Sequence, residues 1–403
     1  MTDFFQNGVI ATLHNLTDRS IDSIEKELMQ WSEKRPMSLI LPCLYSELQG
    51  PALENIIEEL SRASYISEII IGLDAASEDE FKHAREFFSK LPQHHVILWN
   101  DGPRLKNIDQ NINQHSLAPD QAGKGRNVWY CLGYFLASGK SKAVALHDCD
   151  VLTYDRNIPA KLLYPVIHPT FDYVFCKGYY YRAHDGHFSG RVSRLLVLPL
   201  LTALRQCLGA HDYLDFLGSF RYVLAGEFSM RAGVVNSLRI PSDWGLEIGI
   251  LSEMHRRYSN QRICQVDIAN CYDHKHQILS ENDQSGGLSK MSVDITKIIF
   301  RKLATQGVNL TSEQFRTIKA AYYRRALDLI DNYSNDAAMN ELHVDRHKEE
   351  STVELFAQNV MDAGDKYFSN PMETPFMPTW SRVVSAIPDI FPKIIKAVEE
   401  DNQ

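Results

Sequence analysis

The sequence predicts an α/β fold: a mostly parallel sheet with helices on both faces over residues 1–290, followed by a helical region over 291–403. Two observations predict it. From residue 37 onward, apolar runs of strand length alternate with amphipathic helical stretches, the rhythm of right-handed βαβ units and a parallel sheet. Beyond about residue 290 the strand-like runs fade and helical periodicity remains.

Taken in order, "SIDSIEKELMQW" reads as an amphipathic helix leading into the domain. "MSLILPCL" (37–44) is a buried strand closed by Pro42, and "ALENIIEELSRA" is the helix after it. "SEIIIGLD" (67–74) is a second strand ending on Asp74, "EDEFKHAREFFSKL" a helix, and "HHVILWN" a third strand. Residues 101–126 are polar and carry Gly, Pro and Asn, which reads as a long mobile loop. "NVWYCLGYFLAS" is a helix and "AVALHDCD" a fourth strand. "DYVFCKGYYYR" (172–182) and "RICQVDIAN" (262–270) are two more. In the tail, "SEQFRTIKAAYYRRALDLIDNY" sets Phe315, Ile318, Tyr322 and Ile330 on one helical face.

The totals narrow the function. The chain has 403 residues, 44% apolar and 23% charged, as in ordinary globular proteins. A net charge of −9 argues against general nucleic-acid binding, which needs a basic face. No apolar run reaches membrane-spanning length and the first residues lack a basic, then apolar, leader, so a cytoplasmic protein is expected, with no membrane partner. Seven scattered cysteines without a CxxC pair read as reduced, packed thiols, not a disulfide framework or a zinc site.

The chemistry gathers where strands end, because in an open parallel sheet ligands sit beyond the carboxyl ends. Asp148 and Asp150 follow a buried strand one residue apart; such a pair can cap a turn, but it can also hold a hard divalent cation against a diphosphate. "AGKGRN" (122–127) puts Lys124 between two glycines at a helix mouth, a place for an anion; the spacing is not that of a P-loop. His274, in "YDHKHQ", would complete an oxygen-plus-nitrogen set suited to Mg²⁺ or Mn²⁺. "GHFSGRVSR" supplies Gly190, Arg191 and Ser193, the elements of a carboxylate or phosphate clamp. Glu227, Asp243 and Glu247 lie among small and apolar residues, where a buried carboxylate needs a cation or a ligand's hydroxyls.

In order, "LILPCLYSE", "IIIGLD", "GKGRN", "LHDCDV", "CKGYYYR", "SGRVSR", "AGEFSM", "DWGLEIG" and "YDHKHQ" resemble the retaining GT-A glycosyltransferases that make glucosyl-3-phosphoglycerate; mannosylglycerate-type synthases share part of the pattern. The resemblance spans residues 38–277. It implies a Rossmann-like GT-A fold and transfer of glucose from UDP- or GDP-glucose to 3-phosphoglycerate with Mg²⁺ or Mn²⁺. Pro42, Cys43, Leu44, Ser46, Glu47 and Asp74 would serve the nucleotide, and Lys124 the diphosphate. Asp148 would face ribose and sugar, and Asp150 and His274 the metal. Glu227 and Glu247 would join Asp148 and Asp150 in catalysis, by way of the sugar hydroxyls. Gly190, Arg191 and Ser193 would hold the acceptor, helped by Lys177 or Arg194, with Asp243 and His276 also on the substrate side. The chain departs from the family's usual pattern in "PCLYSE" and "GLDAASED", and its tail is longer. Expected partners are the nucleotide sugar and 3-phosphoglycerate, with a homodimer as the expected assembly. The runners-up are a direct mannosyl- or glucosylglycerate synthase, a nucleotide-sugar-binding module without turnover, and a nucleotidyltransferase, whose glycine-rich N-terminal loop has no counterpart here. Residues 101–126 and 280–290 are expected to act as lids over the bound donor.

Overall fold

In a computed structural model that describes residues 5–6, 8–17, 19–119, 121–184, 186–274, 287–370 and 376–403, the apolar runs become strands and the amphipathic stretches pack over them. In chain order come β1 (Ala11–Leu13), α1 (Ile21–Ser32), β2 (Met37–Leu44), α2 (Pro51–Ser61), β3 (Ile66–Asp74), α3 (Glu78–Phe88) and β4 (His94–Trp99). Then follow α4 (Pro103–Asn113), α5 (Lys124–Ser138), β5 (Ala143–Leu146), α6 (Asn157–Ile167) and β6 (Phe175–Tyr180). A hairpin of β7 (Ala183–His184) and β8 (His187–Phe188) leads through a wide helical turn, Val192–Val197, into α7 (Leu198–Leu208). After it come α8 (Asp212–Gly218), β9 (Phe228–Arg231), α9 (Ala232–Val235), α10 (Leu246–Arg257) and β10 (Ile263–Ala269). The tail holds α11 (Gly287–Thr305), α12 (Ser312–Met339), α13 (Arg346–Ser369), α14 (Trp380–Ala386) and α15 (Ile390–Asn402).

Among the described residues eight strands make one sheet, in the order β1-β10-β6-β9-β5-β2-β3-β4. It is parallel except for β9, which runs antiparallel to both β5 and β6. That reversal matters. Phe228, the first residue of β9, lies opposite Leu146, the last of β5, so Glu227 enters the sheet beside His147 and Asp148. Pro42 does not close β2 but sits inside it: β5 reaches only as far as Ile40, so a missing N–H at Pro42 costs no rung on that side.

Residues 101–126 are not one loop. They contain α4, which starts at Pro103 behind Gly102 and buries Leu105, Ile108 and Ile112. Three apolar residues at helical spacing suffice when a core is waiting, even within a polar stretch. Of the second expected lid, residues 280–286 lie outside the described residues and 287–290 open α11.

The helical tail shares the core of the sheet instead of building its own. The buried face of α12 (Phe315, Ile318, Tyr322, Ile330) joins the same apolar cluster as Val128 of α5 and Leu146 of β5. The boundary expected at 290 falls inside α11. At the far edge, Asn402 pairs with the backbone of β4: its Oδ1 accepts from Ile97 N at 2.9 Å and its Nδ2 donates to Ile97 O at 2.9 Å. A side-chain amide thus takes the place of a ninth strand and covers an edge that would otherwise invite pairing.

Trp380 fastens the tail to α5, whose first residue is Lys124. Its ring stacks on Trp129 at 4.2 Å, and its Nε1 donates to Trp129 O at 2.9 Å. Replacing Trp380 with alanine should cost about 3–5 kcal/mol, read as a lower denaturant midpoint. An unchanged midpoint would mean the tail is not a structural part of the fold built on the sheet.

Candidate active site

A cavity of about 580 Å³ opens at the carboxyl ends of β2, β3 and β5. Pro42, Cys43, Leu44, Glu47 and Asp74 line one wall, and Lys124, Asp148, Asp150, Glu247 and His274 its base. Gly190, Arg191 and Ser193 line it as well, and Asp243 of the "PSDWG" loop also faces in. The predicted residues therefore converge, with exceptions given below.

Lys124 is the hub. It is the first residue of α5, where the helix dipole disfavours a cation. Two carboxylates offset this: Nζ lies 2.6 Å from Asp148 Oδ1 and 3.2 Å from Glu247 Oε1. Desolvation works against the charged amine, but Asp148 and Glu247 outweigh it and hold the lysine above its usual range. The two glycines flanking Lys124 serve this placement. Gly123 has φ +152°, and a Cβ on Gly125 would stand 2.2 Å from Pro241 O. The close approach at Gly125 is thus to the "PSDWG" loop, which brings α10 and its Glu247 to the lysine, and not to a ligand. Gly226 is tight for the same reason: a Cβ there would meet Asp148 Oδ2 at 2.6 Å.

The two aspartates are driven apart. Burial would raise Asp148, but Lys124 holds it below the usual carboxylate range. Asp150 lacks so close a cation; burial and the neighbouring Asp148 push it up to about 7. Across from it, Val151 bridges to His274, and Leu152 N donates to Asp273 O at 2.8 Å. This fixes His274 Nδ1 at 3.8 Å from Asp150 Oδ2. Among the described residues no larger group of metal-ligating side chains gathers. One carboxylate and one imidazole, with space left for phosphate oxygens and water, fit Mg²⁺ or Mn²⁺, which keep few protein ligands.

Also in the lining, Arg191 Nη1 and Ser193 Oγ are buried without a hydrogen-bond partner. Burial lowers the Arg191 guanidinium from its ordinary range. Gly190 has φ +77°, so the loop needs glycine there. Buried donors left open beside a cavity are what a phosphate or carboxylate would satisfy.

Several expected residues are elsewhere. Glu227 is fully buried and does not line the cavity; Tyr180 OH donates to its Oε2 at 2.7 Å and Tyr272 OH to its Oε1. The two tyrosine rings stack at 3.7 Å. Lys177 is 1% exposed, donates to Ala225 O at 2.5 Å and is pushed down to about 8 by burial, so it cannot reach an acceptor. Arg194 is spent on Glu349. Ser46 is exposed and outside the cavity wall, and His276 lies outside the described residues. The sequence reading missed Arg182 and Tyr222, and Lys290, Met291 and Ile295 of α11, which also line the cavity. Arg182 stood in view, closing the "KGYYYR" strand; the α11 residues carried no local signal.

Compared with known proteins, the chain is 42% identical over 402 residues to the glucosyl-3-phosphoglycerate synthase of Persephonella marina, spanning 100% of this chain and 99% of that one. It is 40% identical over 405 residues to that of Methanococcoides burtonii, spanning 99% and 98%. The chain belongs to the glucosyl-3-phosphoglycerate synthase family. No protein-family model matches it. Its fold is that of the Mycobacterium tuberculosis glucosyl-3-phosphoglycerate synthase solved with Mn²⁺, UDP-glucose and phosphoglyceric acid, at a TM-score of 0.54 and 22% identity, covering 75% of this chain and 89% of that one. The mannosyl-3-phosphoglycerate synthase of Rubrobacter xylanophilus gives 0.53 at 19% identity, covering 71% and 80%. The expected GT-A fold, with a helical C-terminal region, is therefore the observed one.

For this synthase-family site a pH dependence follows from Asp150. Its folded-state carboxyl stays protonated up to about pH 7, and a metal needs it ionised. Mn²⁺ affinity should level off above pH 8 and fall about tenfold per unit below 7, as titration calorimetry at a series of pH values will read. Asp150→Asn should lose both the tight binding and its pH dependence. A flat profile between pH 5.5 and 8.5 would remove Asp150 from the metal site.

Proposed function

We propose that the chain is a retaining, metal-dependent hexosyltransferase moving glucose from a nucleotide sugar to 3-phosphoglycerate, giving glucosyl-3-phosphoglycerate. The observation that carries this is one cavity lined by two chemically opposite sets of groups, in a chain of this family. One set is acidic, Asp150 with His274, together with Lys124; the other is the open guanidinium and hydroxyl donors of Arg191 and Ser193.

The nucleotide lies along Pro42, Cys43, Leu44, Glu47 and Asp74, and its diphosphate meets Lys124. Asp150 and His274 hold Mg²⁺ or Mn²⁺, which when bound neutralises charge on the departing diphosphate. Glu247 and Asp148 face the sugar while keeping Lys124 in place. Arg191, Ser193 and the Gly190 backbone hold the acceptor phosphate, with Arg182 as a second guanidinium. Retention of configuration normally asks for a nucleophile on the far face of the sugar or for attack from the near face. Glu227 is not placed to be that nucleophile, because both its oxygens accept from tyrosines and it is fully buried outside the cavity lining. Asp148 and Glu247 are both paired with Lys124, so the acceptor hydroxyl attacks from the side the diphosphate leaves, and the diphosphate takes its proton. A homodimer, as expected from the sequence, belongs to the same proposal. A cytoplasmic enzyme without nucleic-acid or membrane partners belongs to the same proposal; among the described residues no helix is long and apolar enough to cross a membrane.

The test is a grid of UDP- and GDP-sugars against 3-phosphoglycerate and glycerate, with Mg²⁺ or Mn²⁺, reading released nucleoside diphosphate. Metal-dependent release with 3-phosphoglycerate and an α-glucoside product is expected; binding without release would leave only a sugar-nucleotide-binding module. 3-Phosphoglycerate carries about three negative charges against one for glycerate, so glycerate should be a poor acceptor. Arg191→Ala should raise the acceptor KM on the order of tenfold to a hundredfold, with little change in donor KM. Arg191→Lys should restore only part, lacking the planar fork. Equal use of glycerate would point to a direct glycosylglycerate synthase.

A further inference from the structure

The acceptor loop, 186–194, has no regular element of its own between β8 and the turn at Val192. Ser189 N donates to Arg182 O at 2.8 Å, and the remaining grips come from the helical tail. The Arg194 guanidinium makes two parallel bonds to Glu349 of α13, Nη1 to Oε2 and Nη2 to Oε1, each 2.8 Å. Its Nε donates to Ser189 O at 2.8 Å, and its backbone N to Gly190 O at 3.0 Å. The same guanidinium lies over two rings, Phe188 at 4.8 Å and Tyr333 of α12 at 4.9 Å. Both partners of the ion pair are buried, at 5% and 6% exposure. The other end of the loop is gripped as well: His343, between α12 and α13, donates its N–H to Gly186 O at 2.6 Å. Between these two grips sit Gly190, Arg191 and Ser193.

A buried ion pair contributes little net stability against an apolar substitute, because both charges must be desolvated. Its worth lies in geometry, and this one is placed where geometry is needed. We propose that Glu349, acting through Arg194, is a positioning residue for the acceptor: the helical tail sets the spacing of the Arg191 and Ser193 donors. The proposal rests on those donors holding the acceptor. Arg194 itself is not part of the clamp, since its donors are committed to Glu349 and Ser189.

Glu349→Gln keeps the shape and removes the charge. It should raise the KM for 3-phosphoglycerate about tenfold or more, since small displacements of binding groups carry large penalties, while donor KM and the affinity for UDP with Mn²⁺ stay within about twofold. Tyr333→Leu, which keeps the ion pair but removes one ring, should shift acceptor KM in the same direction. An influence through net charge alone would run the other way, because deleting an anion near an anion site tightens binding. A lower acceptor KM in Glu349→Gln, unchanged KM in both variants, or an equal loss in kcat with both KM values intact would each overturn the proposal. Arg191→Ala separates the two levels. If it leaves acceptor KM unchanged, the clamp itself is misassigned; if it raises KM and the Glu349 and Tyr333 variants do not, only the positioning role fails.

Discussion

Everything at this site depends on one amine held where a helix would rather not have it. Lys124 stands at the positive end of α5, and the fold keeps it there with Asp148 from β5 and Glu247 from α10. The three groups come from three elements, so their meeting fixes the mutual placement of the sheet, α5 and the "PSDWG" loop. The pairing also divides the two aspartates: the lysine holds Asp148 ionised, and Asp150 is left to be completed by something else. In the proposed function, a cation beside Asp150 and His274 and a diphosphate beside Lys124 would satisfy both demands together.

The reversed strand β9 makes this arrangement possible. Were it parallel, the "AGEF" segment would enter at the opposite end of the sheet. Instead Gly226 presses against Asp148, and Glu227 is tucked behind it, accepting from the hydroxyls of Tyr180 and Tyr272. A carboxylate buried this way, raised by desolvation and by Asp148, shapes the floor of the site and is not a reagent in it. Lys177, behind the same layer, ties down Ala225. The helical tail holds the loop that carries Arg191 and Ser193, through Arg194 and Glu349, and seals the β4 edge through Asn402.

Much of this was legible in the sequence, and the reasons for the remainder are physical. The run 37–44 announced β2 to the residue because a central strand must be apolar on both faces. Asp148 and Asp150 stood out because carboxylates after such a strand need a reason. By contrast, α4 is mostly polar and shows only three core contacts, and β9 has four residues, too few for a period. Glu227 and Lys177 looked like ligands because their residue types are chemical; only the tertiary fold shows them facing inward. The partner of Arg194 lies 155 residues away in sequence, and no local pattern could have named it.

The measurement that bears most directly on this account is the affinity of UDP, in saturating Mn²⁺, for the Lys124→Met protein against the unaltered chain, by titration calorimetry. A charge-assisted contact to the diphosphate should be worth a tenfold to hundredfold change, on the order of 1.5–3 kcal/mol, with 3-phosphoglycerate binding largely retained. Unchanged UDP affinity, with only a loss of thermal stability, would contradict it: Lys124 would then be a structural counter-ion for Asp148 and Glu247, and the diphosphate would lie elsewhere.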